Sequence, residues 1–183
     1  MCIRDRIRLN RAFAYLVGNP NEGFKQMTDM INMSRLSNGV RASGMMQRCF
    51  QESLFISNTR HAFNKKLIDL PLMQKQLLKM LVITEASRSI IFKAADLLNK
   101  ADKGDLVSQK IFRIITPLIK FRACRDVRKV AGDAMEIRGG LGYIEDWLDP
   151  KILRDSHLGS IWEGTSNIIS VSYTHLRAHE TDS

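Results

Sequence analysis

Long apolar runs are missing from this 183-residue chain. Nothing approaches the roughly 18 consecutive apolar positions of a membrane helix, so no span is expected. Cysteine is scarce: Cys2, Cys49 and Cys124 are odd in number and widely spaced. That excludes a disulfide framework and a cysteine-based metal site, and it fits a reducing compartment. His61 and His157 stand alone with no partner at metal-ligand spacing, and no Ser-His-Asp or Cys-His arrangement can be drawn. Basic runs of five or more residues are absent too. The net charge of +9 is spread in pairs such as Lys65-Lys66 and Arg128-Lys129. That is the pattern of solvated helix faces that meet anionic small molecules, more than of a nucleic-acid tract.

What is present is an ordinary globular composition, 44% hydrophobic, in one domain or a piece of a larger protein. Two end segments do not share it. "MCIRDR" (residues 1–6) and "SYTHLRAHETDS" (residues 172–183) look like translated adapter DNA and are set apart from fold reasoning. Excluding them removes Arg4, Arg6 and Arg177 together with Asp5, Glu180 and Asp182, so the +9 belongs to the middle. Both true termini are then expected to lie beyond this chain.

Residues 7–20 read as a strand remnant and linker closing on Gly18-Asn19-Pro20, followed by a helical domain over 21–171. Helical periodicity begins at Phe24, with Met27 and Ile31 on one face and Met46, Cys49, Phe50 and Ser53 further along. Gly39 and Gly44 inside this helix point to close packing. Pro71 suits a helix start, and Met73, Leu77, Met80, Thr84, Ser87, Ile91, Ala94 and Leu98 repeat at spacings of four and three up to a stop at Gly104. A third helix spans about Leu106 to Ile137, with Ile111, Ile114, Leu118, Phe121, Val127, Ala131 and Ala134 inward and Pro117 as an internal kink. An irregular stretch to Gly159 and a short helix opening near Glu163 complete it. The expected fold is all-α, an antiparallel four-helix bundle with a short N-terminal strand remnant.

Two motifs carry possible chemistry. "GGLGY" follows a helix, not a strand, which argues against a dinucleotide fingerprint; by itself it is a helix stop, with Gly139 or Gly140 left-handed. "WEGTSN" could by itself be a helix start, Glu163 favoured by the dipole and Thr165 or Ser166 as cap. Their combination is more specific. "AMEIRGGLGYIEDWLDPKILRDSHLGSIWEGTSNI" resembles the end of the acyl-CoA dehydrogenase family, with the glycine turn, an Arg-Asp pair and an aromatic-Glu-Gly-Thr segment in that order. "RLSNGVRASGMM" and "TRHAFNKKL" resemble the first long helix and following turn of the same family's C-terminal domain. The resemblance covers roughly Phe13 to Val171.

It implies an FAD-dependent oxidation of acyl-CoA thioesters to 2,3-enoyl products, with Glu163 as the base that takes the α-proton. An aromatic neighbour, the flavin and a bound acyl chain would desolvate this carboxylate and make it a better match for a weakly acidic C–H. Gly164 would leave room for the thioester, and nearby backbone would stabilise a developing enolate. Some branches place the base on the first long helix, where this chain has Ser34, so Glu163 is the motif's candidate. Arg35 matches a residue that helps bind the CoA portion. Arg60 and Phe63 match residues that approach the FAD of a neighbouring subunit, with Ala62 replacing a usual polar residue between them. Gly139 and Gly140 match glycines that admit the partner's FAD. Glu136 stands where many members have glutamine, and a carboxylate near a pyrophosphate is unfavourable unless an arginine such as Arg138 compensates it. Trp162, Thr165 and Asn167 match residues beside the flavin.

The resemblance further implies a homo-oligomer, a tetramer as in the family, and an electron-transfer flavoprotein or similar acceptor. The setting would be bacterial cytoplasm or a eukaryotic mitochondrion or peroxisome, not secretion. The missing domains hold most of the FAD, so this chain alone is expected to be inactive. "RHAFNKKLIDLPLMQKQL" is most similar to the branch that includes the bacterial alkylation-response protein. This opens an alternative, a DNA-associated flavoprotein with little dehydrogenase activity.

Overall fold

A computed structural model of the chain describes residues 8–169; the two end segments set apart above lie outside the described residues. Residues 8–19 form no regular element. The expected strand remnant is not found, because a strand needs a paired edge and this exposed segment has none beside it. Asn19 closes the segment by accepting a hydrogen bond from the Asn21 N–H at 3.0 Å, and a single 3-10 turn leads into the first helix.

Four helices follow: α1 (Gly23–Thr59), α2 (Pro71–Asp102), α3 (Leu106–Arg138) and α4 (Leu148–Gly159). Their boundaries follow local chemistry. Pro71 occupies the first position of α2, where its missing N–H costs nothing. Gly104, at φ +95°, turns the chain after α2. Asp105 then caps α3 by accepting from the Val107 N–H at 3.0 Å. Between α1 and α2 a hairpin of two-residue strands, β1 (His61–Ala62) and β2 (Lys65–Lys66), turns at Phe63 and Asn64, both with positive φ.

The sequence before Gly159 predicts an irregular stretch. Instead α4 forms there, with Asp149 and Pro150 in its first turn, a position that favours an acid and tolerates proline. A helical turn follows at 166–169, three residues later than expected. The third helix passes through Pro117 without a break.

The core lies where α3 packs along α1, α2 and α4. The stripe expected on α2 is inward, from Leu77 through Met80, Thr84, Ser87 and Ile91 to Ala94. On the first half of α3 the inward face is different from the expected one. Phe112, Thr116, Ile119, Lys120 and Ala123 are buried, while Ile111 and Leu118 are exposed. The apolar pattern missed this face because it carries a lysine. Gly39 is a point of close approach: a Cβ there would meet Ile119 Cγ2 at 2.5 Å.

Candidate functional site

The residues singled out from sequence fall into two groups. One gathers on the segment after α4. Hydrogen bonds from the Ile161 and Trp162 N–H groups to the Leu158 carbonyl wind the chain off the helix. The backbone then turns left-handed at Glu163 (φ 55°) and Gly164 (φ +98°). Such a conformation is rare for a non-glycine residue and costs on the order of 1–3 kcal/mol, and where it persists it often marks a functional site. Thr165 precedes the next helical turn, its carbonyl accepting from the Ile169 N–H at 3.0 Å. Thr165 and Asn167 are exposed, whereas Trp162, Glu163 and Gly164 are half-buried.

This turn is tied to the bundle from two helices. Arg35 of α1 donates from Nε to the Glu163 carbonyl at 3.3 Å. Lys120 of α3 donates from Nζ to the Gly164 carbonyl. Burial pushes the Lys120 ammonium below its ordinary value; Cys124 and Glu163 oppose that shift and Arg35 adds to it. Burial likewise lowers Arg35, with Glu163 opposing. Arg41 lies 4.9 Å from the centre of the Trp162 ring, a cation–π contact that fixes the aromatic beside Glu163. Its Nε and Nη2 are buried without a hydrogen-bond partner among the described residues. Arg35 also lines a cavity of about 240 Å³ with Asp29, Asn32, Arg113 and Pro117, so two arginines and one carboxylate border it.

The second group lies at the far end of α1. Arg60 follows the last residue of that helix, 25 positions beyond Arg35, which at about 1.5 Å per residue is roughly 37 Å away. Arg60, Ala62, Glu136 and Gly139 together line a cleft of about 310 Å³. Arg60 donates from Nη1 to the Arg138 carbonyl at 2.8 Å, satisfying one of the unpaired carbonyls at the end of α3. Gly139 ends α3 with φ +72°, and a Cβ there would press on Arg60 Nη1 at 2.8 Å, so its glycine is needed within the chain. Gly140 faces open space. Phe63 stands 89% exposed at the hairpin tip.

Arg138 does not compensate Glu136. Its Nε donates to Asp149 at 2.6 Å and its Nη2 to Glu52 at 3.0 Å, beneath the Trp147 ring. Two residues along a helix is a rotation of about 200°, which points the two side chains apart. Arg60 is the cation in the cleft with Glu136. Its guanidinium has donors beyond the one used on Arg138, and with the open side of Gly140 it fits the phosphate portion of a dinucleotide.

Sequence reasoning did not single out Arg41, Arg113 or Lys120. For Lys120 a signal existed: a lysine at helical spacing among Phe112, Thr116, Ile119 and Ala123. Among the described residues there is no group of three or more side chains suited to a metal ion, and no helix long and apolar enough to cross a membrane.

The comparisons with known proteins agree with one another. The model of the acyl-CoA dehydrogenase C-terminal domain matches residues 21–171. Acyl-CoA dehydrogenase family member 11 of Caenorhabditis elegans is 34% identical over 165 residues, which is 89% of this chain and 27% of that protein. The putative acyl-CoA dehydrogenase AidB of Escherichia coli K12 is 30% identical over 163 residues, 89% of this chain and 30% of its own. The crystal structure of Caenorhabditis elegans ACDH-11 in complex with C11-CoA superposes with a TM-score of 0.81 at 33% identity, covering 87% of this chain and 27% of that one. The chain thus spans under a third of the length of these relatives.

Proposed function

Because the chain belongs to the acyl-CoA dehydrogenase family, as its C-terminal domain, we propose that it supplies the base and part of the cofactor surface of an enzyme that oxidises acyl-CoA thioesters to 2,3-enoyl products. The observation that carries this reading is the turn at Glu163. A carboxylate sits in left-handed backbone between Trp162 and Gly164, with its own carbonyl held by Arg35. Such a turn presents the side chain in one direction at the cost of local strain, as suits a group that must meet a specific C–H.

In the reaction the Glu163 carboxylate takes the α-proton and the electron pair of that C–H bond forms the new double bond. FAD, when bound, supplies the acceptor for the β-hydrogen, which leaves as hydride. Trp162, with Arg41 behind it, excludes water on one side of the carboxylate, and Thr165 and Asn167 offer polar contacts on the exposed side. Gly164 allows the backbone conformation and a close thioester. Arg35 and Arg113, in one cavity, would bind an anionic portion of CoA. At the other end of α1, Arg60, Phe63, Glu136, Gly139 and Gly140 would border FAD held by a neighbouring subunit of a homo-oligomer, tetrameric by analogy. Electrons would pass on to an electron-transfer flavoprotein or similar acceptor.

The test is Glu163→Gln in the full-length protein. Flavin reduction by acyl-CoA should be lost while FAD stays bound, and normal reduction by this variant would refute the base assignment. The resemblance of "RHAFNKKLIDLPLMQKQL" to the alkylation-response branch supports one second reading, a DNA-associated flavoprotein with little dehydrogenase activity. Its signature is DNA affinity that falls steeply with salt, without acyl-CoA turnover.

A further inference from the structure

Lys120 is among the most buried side chains of the described residues, 1% exposed on the inner face of α3. A lysine there is costly. Desolvation opposes the charge, and a packed apolar side chain of the same length would serve the core as well or better. Its Nζ donates to a backbone carbonyl, that of Gly164, and the charge of Glu163 lies within reach of the ammonium. One residue earlier, Arg35 Nε donates to the Glu163 carbonyl. Two cations from two different helices therefore hold two successive peptide groups, across the two residues whose φ is positive.

The consequence follows from peptide planarity. In a trans peptide the C=O and N–H point in opposite directions. Drawing the Glu163 carbonyl towards α1 turns the Gly164 N–H away from that helix. Drawing the Gly164 carbonyl towards α3 likewise turns the Thr165 N–H away. With both planes fixed, φ and ψ of Gly164 are set and the Cα of Glu163, which lies in the first plane, is held in place, so its Cα–Cβ bond keeps only the rotation about Cα–C.

We propose that Lys120 is a positioning residue for the reaction: through the Gly164 carbonyl it locks the turn that aims the Glu163 carboxylate. This rests on the reading of Glu163 as base. Its removal should cost the chemical step and spare substrate binding, because the thioester and CoA contact other groups.

The experiment compares Lys120→Met, Lys120→Arg and Glu163→Gln in the full-length, FAD-loaded protein, using saturated acyl-CoAs from butyryl to palmitoyl as substrates and the matching 2-enoyl-CoAs as non-reducing ligands. Hydrogen exchange is followed in the protein without substrate. For Lys120→Met, exchange at residues 163–166 should quicken about tenfold while amides of α2 keep their protection. Flavin reduction should fall about a hundredfold, the scale of a misplacement near 1 Å, with enoyl-CoA affinity within about threefold. Lys120→Arg, which keeps a donor, should recover most of the rate. Unchanged exchange at 163–166 overturns the proposal, as does loosening throughout the bundle or a quickened turn with normal reduction. If Lys120→Met does not accumulate, Lys120→Gln, one bond too short to reach the carbonyl, is read in its place. Normal reduction by Glu163→Gln would sink the base assignment itself, whereas exchange reports on the lock independently, so the two failures are told apart.

Discussion

Cys49 shows how one buried group can set a pH limit. Burial, then the negative charges of Asp149 and Glu52, push its thiol from an ordinary 9.0 up to about 12. The folded value lies above the unfolded one, so the stabilisation is complete below about pH 9. It is lost as pH rises from there towards 12, because the unfolded chain releases the proton first. One proton gives a slope of about 1.4 kcal/mol per pH unit. Burial raises Cys124 as well, in the same sense, while the lowered Lys120 works in the opposite sense towards its ordinary 10.5. The clean reading is therefore a difference. Urea unfolding of wild type and Cys49→Ala between about pH 9 and 10.5 should show the variant losing stability less steeply by about 1.4 kcal/mol per unit. Parallel pH dependences would contradict this account of Cys49. Nearby, Arg138 is sandwiched between Asp149, Glu52 and Trp147, joining α1, α3 and α4. A partner such as Glu52, 86 positions away, leaves no local trace in the sequence around Arg138.

At the scale of elements, most of what was legible came from periodicity and punctuation. Pro71, Gly104 and the stripe from Leu77 to Ala94 are set by local rules, and the structure follows them. Where the reading slipped, a local rule met a tertiary one. The inner face of α3 contains Lys120 and Thr116, polar residues that a search for apolar stripes passes over, so Ile111 and Leu118 were placed inward in error. The start of α4 falls in a stretch whose pattern is irregular, although a first helical turn accepts its Pro150. The candidate site was legible as a motif, but not the lysine and arginines that hold it, since those come from α1 and α3. The α1–α3 packing itself is testable. Gly39→Ala should raise helix propensity by about 1 kcal/mol, yet its methyl would meet Ile119 Cγ2 at 2.5 Å. Overpacking of this kind costs about 1–3 kcal/mol, so a net loss is expected in thermal unfolding. Ile119→Leu, which removes the branching methyl, should recover part of it when combined with Gly39→Ala. Additive losses would mean that the two residues do not meet.

At the scale of the molecule, the decisive fact is the distance between the two groups of residues. Glu163 is anchored to α1 at Arg35, about a third of the way along the helix, and Arg60 follows its last residue, roughly 37 Å further along the axis. Under the proposed function one chain gives its base to one active centre and its Arg60 cleft to another. Intersubunit complementation checks this in the full-length protein. Subunits carrying Glu163→Gln and subunits carrying Arg60→Glu should each be inactive alone. A mixed dimer would contain one centre with both defects and one with neither, so random mixing should return about a quarter of wild-type activity. No recovery would place both groups at the same centre.

The bond between Arg35 and Glu163 has a further meaning in time. It joins residues 128 apart, with the anchor in the first half of α1 and the carboxylate after α4. During synthesis at about 5–20 residues per second, α1 emerges on the order of ten seconds before the segment it must hold. The helices can begin to pack in that interval, but the turn bearing Glu163 cannot be set until α1 to α4 have all been made. Under the proposed function reactivity is thus acquired after the core, and a chain halted before Glu163 would hold most of that core without the base.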